Sequence, residues 1–159
     1  MSKTQQPFQL RPFCAADAPA VPGWFEGGGL LLPPPGTAWA ARLVIDPRIR
    51  AYVAEDAHGA FGLIRFDCGP DGFAELTLVV APARRRRGLG RAIFEAALPQ
   101  VRELGVRGLV AFVGIEDRAA LRFFERAGFC QQGLVGDRLR LRRLVHAGGS
   151  LVEPLDVSV

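Results

Sequence analysis

Lysine is almost missing from this chain. Lys3 is the only one, so nearly all the positive charge is arginine. A Walker-type phosphate loop, which needs a lysine beside its last glycine, is thereby excluded. Cysteine is sparse and scattered. Cys14, Cys68 and Cys130 form no CxxC pair and no Cys/His cluster, so neither a metal site nor a disulfide framework is expected. They read as small, partly buried residues. The two histidines, His58 and His146, stand alone and read as surface residues. The one tyrosine, Tyr52, reads as packing. No apolar run nears the ~20 residues that span a bilayer. The opening "MSKTQQPFQLRPF" lacks the apolar core of a signal peptide. A cytoplasmic protein with no membrane partner is expected.

What is present suits a single globular domain over 1–159, with a core of about 7–145 and a C-terminal tail at 146–159. Hydrophobic residues make up 49% and charged residues 23%, and the formal net charge is +4. A basic balance permits nucleic-acid binding. A basic module would use Arg84 to Arg87 and the set Arg138, Arg140, Arg142 and Arg143. Aromatics are not interleaved with these arginines, however, and no nucleic-acid motif occurs.

Periodicity and turn residues set out the elements. "FQLRPF" (8–13) reads as a strand. "AADAPAVPGWFEG" (15–27) reads as a short helix broken by Pro19 and Pro22, and "GGGLLLPPPGT" (27–37) as a loop. "TAWAARLVID" (37–46) reads as a helix. Strands at 50–56 and 59–67 flank "AH", a tight hairpin connection, and a turn at 70–72 leads to a strand at 73–81. A helix begins near Gly90 and ends at Gly105. Pro99 should kink or split it. A buried strand follows at 107–114. Asp117 caps the next helix and Gly128 ends it. Two strands joined near Gly136 close the chain. Hairpins mixed with helical crossovers predict a mixed α/β sheet, not a doubly wound parallel one.

Chemistry concentrates in "VVAPARRRRGLGRA" (79–92), where an apolar strand runs through arginines and two glycines into a helix. The start of a helix carries unpaired N–H groups and a positive dipole end. Gly88 and Gly90 let backbone approach an anion closely. That suits a pyrophosphate. A dinucleotide fingerprint fails, because its third glycine position is Ile93.

This stretch resembles the acetyl-CoA-binding signature of the GNAT superfamily of N-acetyltransferases. That signature is an apolar strand, often a proline, then [RQ]xxGx[GA] opening a helix. Here it falls on Arg85, Arg86, Arg87, Gly88, Leu89 and Gly90. "EDRAALRFFERAGF" (116–129) resembles the superfamily's later helix and its terminal "GF". The resemblance covers roughly residues 7–145. It implies a mixed, mostly antiparallel central sheet with flanking helices and a splay between the two central strands.

The resemblance also implies roles. Acetyl-CoA is the acyl donor, and a primary amine attacks its thioester directly. Backbone of Leu78, Val79 and Val80 pairs with the pantetheine arm, and the Val80 N–H is the oxyanion donor. Backbone N–H groups from Arg86 to Arg91 hold the pyrophosphate, and Arg84 is left for a further phosphate contact. Glu75 is the general base. Phe124 stands where many relatives have a tyrosine that protonates the thiolate, and Asp117 where they have an asparagine. Trp24 lies where relatives form the acceptor pocket. The stretch "AYVAEDAHGAFGLIRFDCGPDGFAEL" resembles enzymes acting on nucleotide-activated amino sugars. Small amines, aminoglycosides and protein N-termini stay open as acceptors. An acyl-CoA sensor without catalysis is an alternative, and homodimers are common among relatives.

Overall fold

The structure, a computed structural model, describes residues 7–25 and 38–145. The predicted loop at 27–37, His146 and the tail at 146–159 lie outside the described residues. Among the described residues, seven strands and four α-helices follow in order. They are β1 (Gln9–Pro12), α1 (Val21–Trp24), α2 (Ala38–Ile45), β2 (Ile49–Asp56), β3 (Gly59–Cys68), β4 (Phe73–Val80), α3 (Leu89–Glu103), β5 (Gly108–Gly114), α4 (Arg118–Arg126), β6 (Cys130–Val135) and β7 (Arg138–Leu144). The strands hydrogen-bond in the order β1-β2-β3-β4-β5-β7-β6. The β4–β5 pair is parallel, while β1–β2, β5–β7 and β6–β7 are antiparallel. The mixed, mostly antiparallel α/β sheet is as expected.

Three readings change. Pro22 does not break a helix. It sits in the first turn of α1, where a proline's missing N–H costs nothing. Pro99 lies inside α3 without splitting it. Pro99 and Glu95 are both exposed, so water can take up the Glu95 carbonyl that proline leaves unpaired. Cys14 and Cys130 are exposed rather than partly buried, and only Cys68 is half-buried. Cys130 opens β6, one of the two edge strands among the described residues, which is exposed along its whole length.

The chain divides into two compact units. The first is Met1–Arg65 with Thr77–Ala97, and the second is Phe66–Leu76 with Leu98–Val159. In the first, Phe13, Val21, Trp24, Leu43, Val53, Leu63 and Val79 share one apolar core. Gly62 is closely enclosed there. A Cβ would stand 2.9 Å from Ile93 Cδ1 and 3.1 Å from the Val79 carbonyl oxygen. A charged network unforeseen from sequence closes the N-terminal side. Arg11 makes two hydrogen bonds to buried Asp17, at 2.8 and 2.7 Å, and its Nε lies 2.8 Å from Glu55. The Arg11 guanidinium first, aided by the Cys14 N–H, holds the Asp17 carboxyl down to about 2.

In the second unit, Leu109, Ala111, Val113 and Leu141 are buried. The Phe73 ring passes over Gly108, where a Cβ would stand 2.8 Å from that ring and 2.6 Å from the Arg143 carbonyl oxygen. Asp117 caps α4 by accepting the Ala120 N–H at 3.1 Å. Gly128, at φ 91°, follows the end of that helix. Phe124 is buried edge-on against Phe123 and Phe129, with ring centroids 5.1 Å away in each case. Arg143 Nη1 donates to the Ala127 carbonyl, and burial lowers the pKa of its guanidinium.

Candidate functional site

The first unit places most of the predicted cofactor residues along one stretch of backbone. Val79 is buried in the core and Val80 is half-buried at the end of β4. The Ala81 N–H donates to the Phe61 carbonyl of β3 at 2.7 Å. Polar backbone groups alternate sides along a strand. The Val79 and Ala81 groups therefore face β3, and the Val80 N–H faces away from it. Pro82 then stops the strand and opens a single 3-10 turn, Pro82–Arg84.

Arg85 fastens this corner. Its Nε donates to the Val80 carbonyl at 3.0 Å, and its Nη2 donates to the Trp24 carbonyl at 2.6 Å. One planar guanidinium thus joins the end of β4 to the end of α1. Such a fork suits two acceptors held at a fixed spacing. The role was missed from sequence, yet a sign of it was readable. The motif allows arginine or glutamine here, and both carry planar N–H donors.

Beyond Arg85 the backbone turns sharply. Arg86 has φ 64° and Gly88 has φ 73°, both left-handed, and Arg86 is the only non-glycine residue at positive φ among the described residues. A side-chain-bearing residue held there costs about 1–2 kcal/mol. Such strain gathers where backbone must be presented in a set geometry. The first closing bond of α3 runs from the Ala92 N–H to the Gly88 carbonyl, at 3.2 Å. The N–H groups of Leu89, Gly90 and Arg91 precede it and have no partner within the helix. Left-handed turn and helix start together form an anion cradle of backbone donors.

The four consecutive arginines therefore do different things. Arg84 is not available for a phosphate. It makes two hydrogen bonds to Asp56, at 2.6 and 3.2 Å, and stacks 4.9 Å from the Phe61 ring centroid. Its guanidinium, with help from the His58 N–H, holds the Asp56 carboxyl down to about 2. The cause is the fold, which brings the end of β2 beside the turn. Arg86 and Arg87 are exposed, and among the described residues neither makes an ion pair or hydrogen bond. Arg91 pairs with Glu95 one turn on, at 3.0 Å, in full solvent. The nucleic-acid reading loses Arg84 and Arg85 here, and Arg143 in the second unit, because each is committed to an internal partner.

Trp24 is 6% exposed and belongs to the core, so its indole packs while its carbonyl anchors Arg85. Glu75 is exposed and in register with Val110. It lies on the part of β4 that belongs to the second unit. Phe124 is a core residue, and no proton donor replaces the tyrosine at that position. Among the described residues, no three His, Cys, Asp or Glu side chains come together as a metal site. No helix among them is long and apolar enough to cross a membrane.

Comparison with known proteins bears on the same residues. The model of the acetyltransferase (GNAT) family matches residues 21–129. A protein of Bacillus subtilis (strain 168), named "Putative phosphinothricin acetyltransferase YwnH", is 34% identical over 89 residues, 52% of this chain and 55% of that protein. The mycothiol acetyltransferase of Geodermatophilus obscurus is 33% identical over 69 residues, 43% of this chain and 22% of that protein. The aligned part is thus about half or less of these curated relatives. Among solved structures, a chimera of Vibrio cholerae spermidine N-acetyltransferase SpeG and hSSAT superposes with TM-score 0.74. It is 19% identical and covers 87% of this chain and 96% of that one. That likeness is one of fold.

Proposed function

The chain belongs to the acetyltransferase (GNAT) family, and from that premise we propose that it transfers the acetyl group of acetyl-CoA to a primary amine. The observation that carries the reading is the Arg85-fastened corner. There β4 ends, the backbone turns through left-handed Arg86 and Gly88, and three N–H groups open α3. In this reading the backbone of Leu78, Val79 and Val80 lines the pantetheine arm. The N–H groups from Arg86 to Arg91 receive the pyrophosphate. Trp24 closes the apolar floor on the acceptor side.

The amine nitrogen attacks the thioester carbon, and the carbonyl oxygen takes up negative charge. The Val80 N–H stabilises that oxyanion. The C–S bond then breaks and the electron pair leaves with sulfur. Glu75 takes the ammonium proton through water. Water protonates the thiolate, because Phe124 cannot. In this reading the reaction takes place in the cytoplasm. Small amines, amino sugars and protein N-termini are the acceptor classes under this reading.

The test is thiol release on mixing acetyl-CoA with a panel of amines. Glu75→Gln is expected to lower kcat by about 10²-fold or more while acetyl-CoA still raises the melting temperature. Unchanged turnover would remove Glu75 from the mechanism. Thermal stabilisation by acetyl-CoA with no thiol release from any amine would favour the second reading, a non-catalytic acyl-CoA sensor, which the buried Phe124 supports.

A further inference from the structure

One face of the second unit carries charge that the acetyl-transfer chemistry does not use. Register partners in a sheet share a face. Glu75 pairs with Val110, and Val110 with Arg142. Two inter-strand steps separate Glu75 from Arg142, or about 10 Å between Cα atoms. Arg140, two residues along β7, shares that face in register with Phe112. Phe73 is two residues from Glu75 on the same face. The guanidiniums of Arg107 and Arg142 lie over its ring, at 5.5 and 5.7 Å from the centroid. Val110, between Glu75 and Arg142, is buried and makes an apolar floor.

Arg107 and Arg142 thus flank one aromatic ring, and Arg140 and Glu75 share the face of Arg142. Among the described residues, none of the three arginines forms an ion pair, and Arg140 donates only to Gln132 at 3.3 Å. A guanidinium held over a ring by cation–π attraction still has five N–H donors to offer an acceptor. Against the one carboxylate of Glu75, these three arginines leave a net positive charge, which repels a polycation and suits an oxyanion.

We propose that this face is the acceptor's anion subsite. The acceptor is a small primary amine that also bears a carboxylate or phosphate group. Its amine lies at Glu75, and its oxyanion is bound by the guanidinium edges of Arg142 and Arg140, with Arg107 holding Phe73 in place. The proposal rests on the reading of Glu75 as the base, and it adds the substrate class.

The experiment compares matched acceptors on the full chain with saturating acetyl-CoA. These are 3-aminopropyl phosphate, 4-aminobutyrate, neutral 3-aminopropanol and the polycation spermidine. A charge-assisted hydrogen bond predicts kcat/KM about ten- to a hundredfold higher for the anionic pair than for the neutral amine. Spermidine is expected to be the poorest. In the double variant R140Q/R142Q the ratio of anionic to neutral acceptor falls towards one. The single variant R142K, which keeps the charge, retains most of the preference. Equal rates on charged and neutral acceptors, a preference for spermidine, or a preference that survives in a folded R140Q/R142Q would each overturn the subsite. If acetyl-CoA binds and no amine is acetylated, the catalytic reading fails instead. Calorimetry with 3-aminopropyl phosphate then decides the subsite. Binding to the wild type that is lost in R140Q/R142Q sustains it, and no binding to the wild type overturns it.

Discussion

Removing the Arg85 guanidinium should loosen the cofactor corner and destabilise the first unit together. Arg85→Ala deletes two hydrogen bonds from a charged donor, to the Val80 and Trp24 carbonyls. Bonds of this kind contribute about 1.5–3 kcal/mol each. The two share one side chain and are not fully additive, so a loss of about 2–4 kcal/mol is expected. In a chain of this length 1 kcal/mol moves Tm by about 2–4 °C, which converts to a drop of roughly 5–15 °C. The same change frees the carbonyl side of Val80, whose N–H is the proposed oxyanion donor. Affinity for acetyl-CoA should fall about tenfold or more, a shift of at least ~1.4 kcal/mol. Thermal denaturation followed by far-UV circular dichroism reads the first effect, and calorimetric titration with acetyl-CoA reads the second. Arg85→Lys, a point donor that cannot fork, should show about half the destabilisation. A variant R85A that keeps both its Tm and its acetyl-CoA affinity would refute the clamp.

Other outcomes follow from the same contacts. At Gly88 nothing lies within 4 Å of where a Cβ would sit, so only φ 73° opposes a side chain. Gly88→Val should then weaken acetyl-CoA binding about tenfold through backbone strain of about 1–2 kcal/mol, with Gly88→Asn milder. Arg84→Ala breaks the pair with Asp56, so it should lower Tm while titration shows acetyl-CoA affinity nearly unchanged. The folded-state pKa of Asp17 is depressed to about 2 from an ordinary 3.8. Its contribution is therefore complete above about pH 4 and is lost as pH falls towards 2. The shift corresponds to about 2 kcal/mol. Urea midpoints should decline over that window in the wild type, and less steeply in Asp17→Asn. Gly108→Ala places a Cβ 2.6 Å from the Arg143 carbonyl oxygen, and such overpacking should cost about 1–3 kcal/mol in urea unfolding.

The order of elements was legible because each has a local cause. Apolar alternation marks β2 to β4, Asp117 and Gly128 bracket α4, and Ala57-His58 is short enough to force a hairpin. Pro99 does not split its helix, because whether a proline ends a helix depends on whether water reaches the carbonyl it orphans, and exposure is a tertiary property. Cys14 and Cys130, though not Cys68, were misread for the same reason. The motif at 85–90 marked one continuous stretch of chain, in which the backbone turns left-handed before the helix starts. It could not divide the labour among four identical side chains. Arg84 and Arg85 are neighbours, yet one pairs with Asp56, 28 residues earlier, and the other with Trp24, 61 residues earlier.

By itself, then, the sequence determined the element order, the mixed sheet and the family of the phosphate-type loop, since periodicity, caps and glycine positions act over a few residues. Only the tertiary structure decided which arginines are spent on internal partners and which stay exposed. It also decided that Asp17 is a buried ion-pair residue, and that Glu75 shares a face with Arg142. Those outcomes depend on pairings across strands and between distant segments, and the local pattern that makes a strand does not specify what will lie beside it.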